Sequence, residues 1–349
     1  VVKLRRTPLA AVAIALLALS IGLAACGEKS EDVSGEAQPF SLTLDFYPNP
    51  DHVGIYMAQK LGYFREAGLD VQIHAPADPS APIKQVAAGQ TDLAISYEPE
   101  VLLAHDKDLG VVAVGALVNR PLTSMIWLKE SKIKGIGSLR GKTVATAGIP
   151  YQDAFLKTIL ARANLSPSDV KAVNVGFGLL PALVGGSAQA MLGGFLNVEG
   201  VDLRLRGKNP VVTPVDKLGV PTYDELVLVA QRKRLEEDPE AIRLFVAALA
   251  RGTGAAVANP KAATKALLEA NRDLDPKLTE AEVEATLPLL GSPGKAGSGS
   301  AGAEPPYGFM DPGEWTRFIA WMRDNELISA LPAPSAVLTN AYLPGNIAE

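Results

Sequence analysis

The three histidines of this 349-residue chain, His52, His74 and His105, stand far apart and share no ligand spacing, so the sequence offers no metal site. No GxSxG elbow, Walker loop or HExxH helix is present, and Gly185-Gly186 and Gly193-Gly194 are too thinly spaced for a dinucleotide fingerprint. No catalytic residue and no cofactor are therefore expected. What the chain does carry is aromatic and polar side chains grouped where apolar runs end. In Asp45-Phe46-Tyr47-Pro48-Asn49-Pro50-Asp51-His52, an aromatic ring can offer a face or edge to a flat ligand, and Asn49 both donates and accepts. Phe46 otherwise packs in the core, and Tyr47 and Asn49 otherwise form an ordinary turn. Tyr97 and Glu98 follow a second apolar run, where Glu98 is either a helix cap or a ligand contact. Tyr151 closes the loop Gly148–Tyr151, and Asn197 and Glu199 hold the place in the second half that Tyr97 and Glu98 hold in the first. Glu225 abuts Leu226-Val227 and is preferred over Asp224 as a buried carboxylate. A carboxylate aimed at an amino-substituted heterocycle makes a charge-assisted hydrogen bond; each acid alone is otherwise a solvated surface charge.

These residues need elements to hold them. Leu42, Leu44 and Phe46 alternate as a strand does, the two prolines of the next loop stop it, and Ile55, Ala58 and Leu61 share a helical face before Gly62. Strand-like runs at 70–74, 93–95 and 111–118 then alternate with helical ones at 83–88 and from 101 onward. The pattern restarts after a polar stretch, 129–141, with strands at 142–146, 170–175 and 188–193 and helices at 154–163 and 179–184. Such alternation predicts βαβ units, hence an α/β chain with a mainly parallel sheet. The echo of strand, short loop and polar residue predicts two similar lobes with facing strand ends. Leu226–Ala230 is a further strand, followed by helices over 239–258, 261–269, 280–290 and around Trp315–Met322. The Gly/Ser-rich stretch 292–306 is expected to be a mobile surface loop, and 332–349 a trailing segment.

The beginning of the sequence reads as targeting. Lys3, Arg5 and Arg6 precede an uncharged apolar run from Leu9 to Ala25, and the single cysteine follows at Cys26. This resembles a bacterial lipoprotein signal, with 1–25 removed, Cys26 lipidated and 26–39 a tether; no later run looks long enough to span a membrane. Without the three basic residues, 30 basic residues face 38 acidic ones, a net charge of −8, which argues against nucleic acid as a partner.

The stretch DFYPNPDHVGIYMAQKLGYFREAGLDV resembles the signature of bacterial substrate-binding proteins related to the yeast thiamine-pyrimidine synthase, the NMT1/THI5-like family. Asp45, Phe46, Pro48-Asn49, His52 and Gly54 match its pattern, and AAGQTDLAISYEPEVLLA, GGFLNVEGVDL and GVPTYDELVLVA resemble further blocks. The resemblance covers about residues 42–258 and implies a periplasmic-binding-protein type II fold that closes on its ligand. It also implies an ABC importer permease as partner and an extracytoplasmic place at the outer face of the cytoplasmic membrane. Lobe I is then expected over 40–128 and 231–349 with C-terminal helices, and lobe II over 129–230. The implied ligand is a thiamine-pyrimidine precursor of the formylaminopyrimidine or hydroxymethylpyrimidine type. Riboflavin is an alternative, and sulfonate or nitrate, with Arg120 as a candidate contact, a more distant one. The implied ligand-binding set is Asp45, Phe46, Tyr47, Asn49, His52, Tyr97, Glu98, Tyr151, Asn197, Glu199 and Glu225. Phe46 stands where the family usually has tryptophan. The synthase's cysteine-rich iron motif has no counterpart in a chain whose one cysteine is Cys26, which implies a binder and not an enzyme.

Overall fold

The computed structural model describes residues 37–290 and 305–345. The expected signal peptide, the lipidation site Cys26, most of the tether and nearly all of 292–306 lie outside the described residues. The tether's expected last residues are instead the start of a strand, β1 (Gln38–Thr43), which ends short of Phe46.

The first lobe is built by β1, α1 (Val53–Lys60), β2 (Leu69–His74), α2 (Ala81–Ala87), β3 (Leu93–Ser96), α3 (Glu98–Asp106) and β4 (Val111–Val118). β4 is buried at every position, as its unbroken VVAVGALV run requires of a strand covered on both faces. The second lobe contains β5 (Thr123–Leu128), β6 (Thr143–Thr146), α4 (Gln152–Ala161), β7 (Lys171–Asn174), α5 (Leu179–Val184), β8 (Ala190–Phe195), α6 (Glu199–Leu205) and β9 (Pro210–Pro214). The chain returns through β10 (Leu226–Gln231) and continues into α7 (Pro239–Ala258), α8 (Pro260–Ala270), α9 (Pro276–Thr286) and α10 (Pro312–Asp324).

The two sheets repeat one plan. Their strand orders are β2-β1-β3-β10-β4 and β7-β6-β8-β5-β9. In each, four strands run parallel and a fifth, which has just crossed from the other lobe, is inserted antiparallel among them, β10 in the first and β5 in the second. This pairing moves the lobe boundaries. The chain crosses at 119–122 and returns over 219–225, so β5 belongs to lobe II and β10 to lobe I, the reverse of the expected division at 128 and 230. The polar stretch 129–141 is not a crossing: it forms two short 3-10 turns between β5 and β6. Its polarity marks a surface connection within one lobe, while the true first crossing is only four residues long and apolar in part.

Lobe I is centred on a stack of three rings. Phe245 of α7 lies between Phe40 of β1 and Phe64, with centroids 5.0 Å apart on each side. α7 also crosses α1 so closely that a Cβ on Gly252 would sit 2.3 Å from the Gly54 carbonyl oxygen. Length and apolarity alone would let α7 span a membrane, contrary to the expectation that no later run could, yet half of its most apolar window is buried inside the protein. It is a core helix. The trailing segment is also part of the fold: Leu338 bridges to Ala113 of β4, and Val337 and Leu343 are buried.

Candidate functional site

A cleft opens between the lobes where the parallel strands end. Asp45 and Phe46 follow β1, Tyr97 follows β3, Ala147 and Ile149 follow β6, and Phe195 ends β8. The carboxyl ends of parallel strands are where α/β sheets bind ligands, because there the loops diverge and leave a crevice. The cleft is completed by Asn49, Thr123, Tyr151, Gln152, Leu179, Gly193, Val198 and Glu199.

Asp45 is held by two partners. Its Oδ2 accepts the Tyr97 hydroxyl at 2.8 Å, and its Oδ1 lies 2.8 Å from His52 Nε2. The Asn49 backbone N–H donates to His52 Nδ1 at 3.2 Å, so Nδ1 carries no proton and Nε2–H is the donor to Asp45. A neutral imidazole thus orients a carboxylate from behind. Asn49 is itself partly spent on the loop: its Oδ1 caps the Asp51 N–H at 2.9 Å and its Nδ2 donates to the Tyr47 carbonyl at 3.2 Å.

Rings close the cleft. Tyr97 and Tyr151 meet edge-on with centroids 5.8 Å apart, one from each lobe. Phe46 meets Phe177 of lobe II almost perpendicularly at 4.5 Å, and Tyr47 covers both. Tyr47 is 40% exposed at the rim, yet enclosure of its hydroxyl, then Glu199, Glu282 and Asp202, raise that group's pKa above its ordinary value.

Glu199, in the first turn of α6, is the lobe II carboxylate on the cleft. Its Oε2 accepts the Phe195 N–H at 2.7 Å. Burial raises its pKa to about 7, opposed by that N–H and reinforced by Asp202. Gln152 holds the facing loop through its Oε1, which accepts the Ala147 N–H at 2.9 Å. Gly193 lets it do so: at φ +114° a Cβ there would stand 2.5 Å from Gln152 Nε2.

Of the expected ligand residues, Asp45, Phe46, Asn49, Tyr97, Tyr151 and Glu199 line the cleft, and Tyr47 forms its rim. The other four are buried but lie outside the lining. His52 backs Asp45. Glu98 makes no side-chain cap of α3; its Oε2 accepts the Asp224 N–H at 2.7 Å on the return crossing. Burial, then Asp224, hold Glu98 well above the usual carboxylate range. Glu225 ties the two crossings together, accepting the Leu122 and Thr123 N–H groups and the Thr123 and Tyr223 hydroxyls at 2.7–2.9 Å. Asn197 reaches across to Asp51 and Thr286, donating to each at 2.8 Å. Thr123, Gln152 and Phe177 were missed. Thr123 opens an unanticipated strand, Gln152 directly follows a loop that was recognised, and Phe177 stands between two glycines after β7.

Two α/β lobes, joined by two crossings and meeting over a cleft of rings and carboxylates, give the two-lobed architecture of periplasmic-type solute-binding proteins. The family model described as NMT1/THI5 like matches residues 49–263, and the chain belongs to that family. The chain is 35% identical over 314 residues to the formylaminopyrimidine-binding protein of Halalkalibacterium halodurans, covering 88% of this chain and 92% of that one. It is 36% identical over 254 residues to a putative thiamine biosynthesis protein of Haemophilus influenzae, covering 72% and 80%. Among solved structures, the alkanesulfonate-binding protein of Xanthomonas axonopodis pv. citri bound to MOPS superposes with a TM-score of 0.66 at 13% identity, covering 88% of this chain and 99% of that one. The periplasmic nitrate-binding protein of Synechocystis PCC 6803 does so with a TM-score of 0.65 at 13% identity, covering 88% and 87%. At such identities the likeness is one of fold.

Proposed function

We propose that this protein captures a pyrimidine precursor of thiamine, of the formylaminopyrimidine or hydroxymethylpyrimidine type, outside the cytoplasmic membrane and delivers it to an ABC importer permease. In this reading a lipid on Cys26 holds it to the outer face of that membrane. The observation that carries the ligand class is the cleft itself. Phe46, Tyr97 and Tyr151 present ring faces and edges to a flat ligand, and Asp45 and Glu199 are available as acceptors for its amino groups. The 35% identity to a formylaminopyrimidine-binding protein over most of both chains supports the same ligand. Among the described residues no lysine or arginine lines the cleft, Arg120 included, which disfavours sulfonate and nitrate. Phe46 in place of the family's usual tryptophan favours riboflavin as the second reading. Thermal-shift screening of formylaminopyrimidine, hydroxymethylpyrimidine, thiamine, riboflavin and an alkylsulfonate separates these readings. A melting-temperature rise confined to the pyrimidines supports the proposal, and a rise with riboflavin alone reassigns the ligand.

A further inference from the structure

The contact between Asn197 and Asp51 leaves two atoms over. Asn197 Nδ2 donates to Asp51 Oδ1 at 2.8 Å across the cleft. Among the described residues, the other oxygen of each group, Asp51 Oδ2 and Asn197 Oδ1, is buried without a hydrogen-bond partner. Two buried acceptors left over on two groups already joined by one hydrogen bond are costly. A single proton satisfies both. A carboxylic acid and a carboxamide form a two-bond ring, in which the amide N–H donates to the carbonyl oxygen and the acid O–H to the amide oxygen.

We infer that Asp51 and Asn197 form a proton-dependent clasp, in which Asp51 takes a proton from solvent as the lobes close and donates it to Asn197 Oδ1. The surroundings agree. Asp45 from its own loop, Glu199 from lobe II, Glu225 from the return crossing and Glu282 from α9 are the acids around Asp51. Asp202 and Arg206 lie behind Glu282, where Arg206 opposes the effect of the acids. Burial places the Asp51 carboxyl well above the usual carboxylate range, opposed by the Asn197 N–H it accepts and reinforced by these charges, and Glu282 is pushed up to about 9. Asp51 and α9 belong to lobe I and Asn197 to lobe II, so in the proposed clasp opening exposes Asp51 to water and closure buries it. An acid whose pKa is raised by closure favours the closed form at low pH, and that advantage is lost as pH rises through the closed-state value. For one proton the closure equilibrium changes up to tenfold per pH unit between the two values.

The clasp concerns closure, not the identity of the ligand, so its test needs none. Small-angle scattering of the full-length protein, ligand-free, follows lobe closure between pH 5.5 and 8.5. The wild type is expected to become more compact as pH falls. Asp51→Asn keeps a two-bond ring without needing a proton, so it should lose the Asp51 share of the dependence and hold the compact form at high pH. Glu282→Gln should keep that share. Asn197→Asp, which opposes two acids, should open further than the wild type at pH 8.5. A wild type equally compact at both pH values overturns the clasp, as does an Asp51→Asn protein with the full wild-type dependence.

Discussion

Glu225 shows how misleading a carboxylate can be at the scale of the single residue. Its place beside an apolar run marks it correctly as buried, but its oxygens are fully engaged in joining the two crossings. Glutamine at that position is isosteric and still wrong, since its amide group would face backbone N–H donors. Glu225→Gln is expected to lower stability by about 2–4 kcal/mol in urea unfolding. Phe177 is the opposite case, a residue with no sequence signal beyond its flanking glycines that nonetheless closes the cleft against Phe46. Losing one edge-to-face pair of about 0.5–1.5 kcal/mol should raise the ligand's dissociation rate about 2- to 12-fold in Phe177→Ala, with melting temperature little changed. Stopped-flow release measures this directly.

At the scale of elements, the loop 45–52 is only as well placed as the helix that follows it. α1 is seated against α7 through Gly54 and Gly252, where backbone and helix approach too closely for a side chain. Gly252→Ala should therefore cost about 1–3 kcal/mol of stability by chemical denaturation and weaken ligand binding through the displaced loop. Most elements were legible because their apolar periodicity was strong: β4, α7 and α10 each show one clear buried face or an unbroken buried run. β5 and β9 were not. TSMIWL is short, with two polar residues followed by an unbroken apolar run, and PVVTP begins and ends in proline, so neither carries a period to read. Missing β5 displaced the lobe boundary, because the strand that has just crossed pairs antiparallel and looks in sequence like the end of the previous lobe. The candidate site was legible where strand ends carry unusual residues, as at Asp45, Tyr97 and Glu199. Which polar group faces the cleft and which backs it depends on long-range pairing, such as Glu98 with Asp224, that no local pattern encodes.

For the whole molecule, the buried acids set the pH response. Burial raises Glu100, Asp224 and Glu225 to about 7 each, so the folded protein binds more protons than the unfolded chain between their ordinary values and neutrality. Their contribution to stability is complete below pH 4 and is lost as pH rises through about 7. Melting temperature should therefore be higher at pH 5.5 than at pH 8.5, a direction opposite to that of proteins stabilised by ion-paired carboxylates. Differential scanning calorimetry at the two values tests it. The carboxylates that line the cleft are Asp45 and Glu199, which offer nothing to an anionic ligand and support reading it as a receptor for an amino-substituted ring.

The most direct test of that reading is calorimetric titration of formylaminopyrimidine into the wild type and Glu199→Gln at pH 8. One-to-one binding by the wild type, weakened about tenfold or more in Glu199→Gln with its melting temperature retained, is the predicted result. No binding by the wild type, or equal affinity in the two proteins, would contradict the assignment of Glu199 as the carboxylate that holds a pyrimidine amino group.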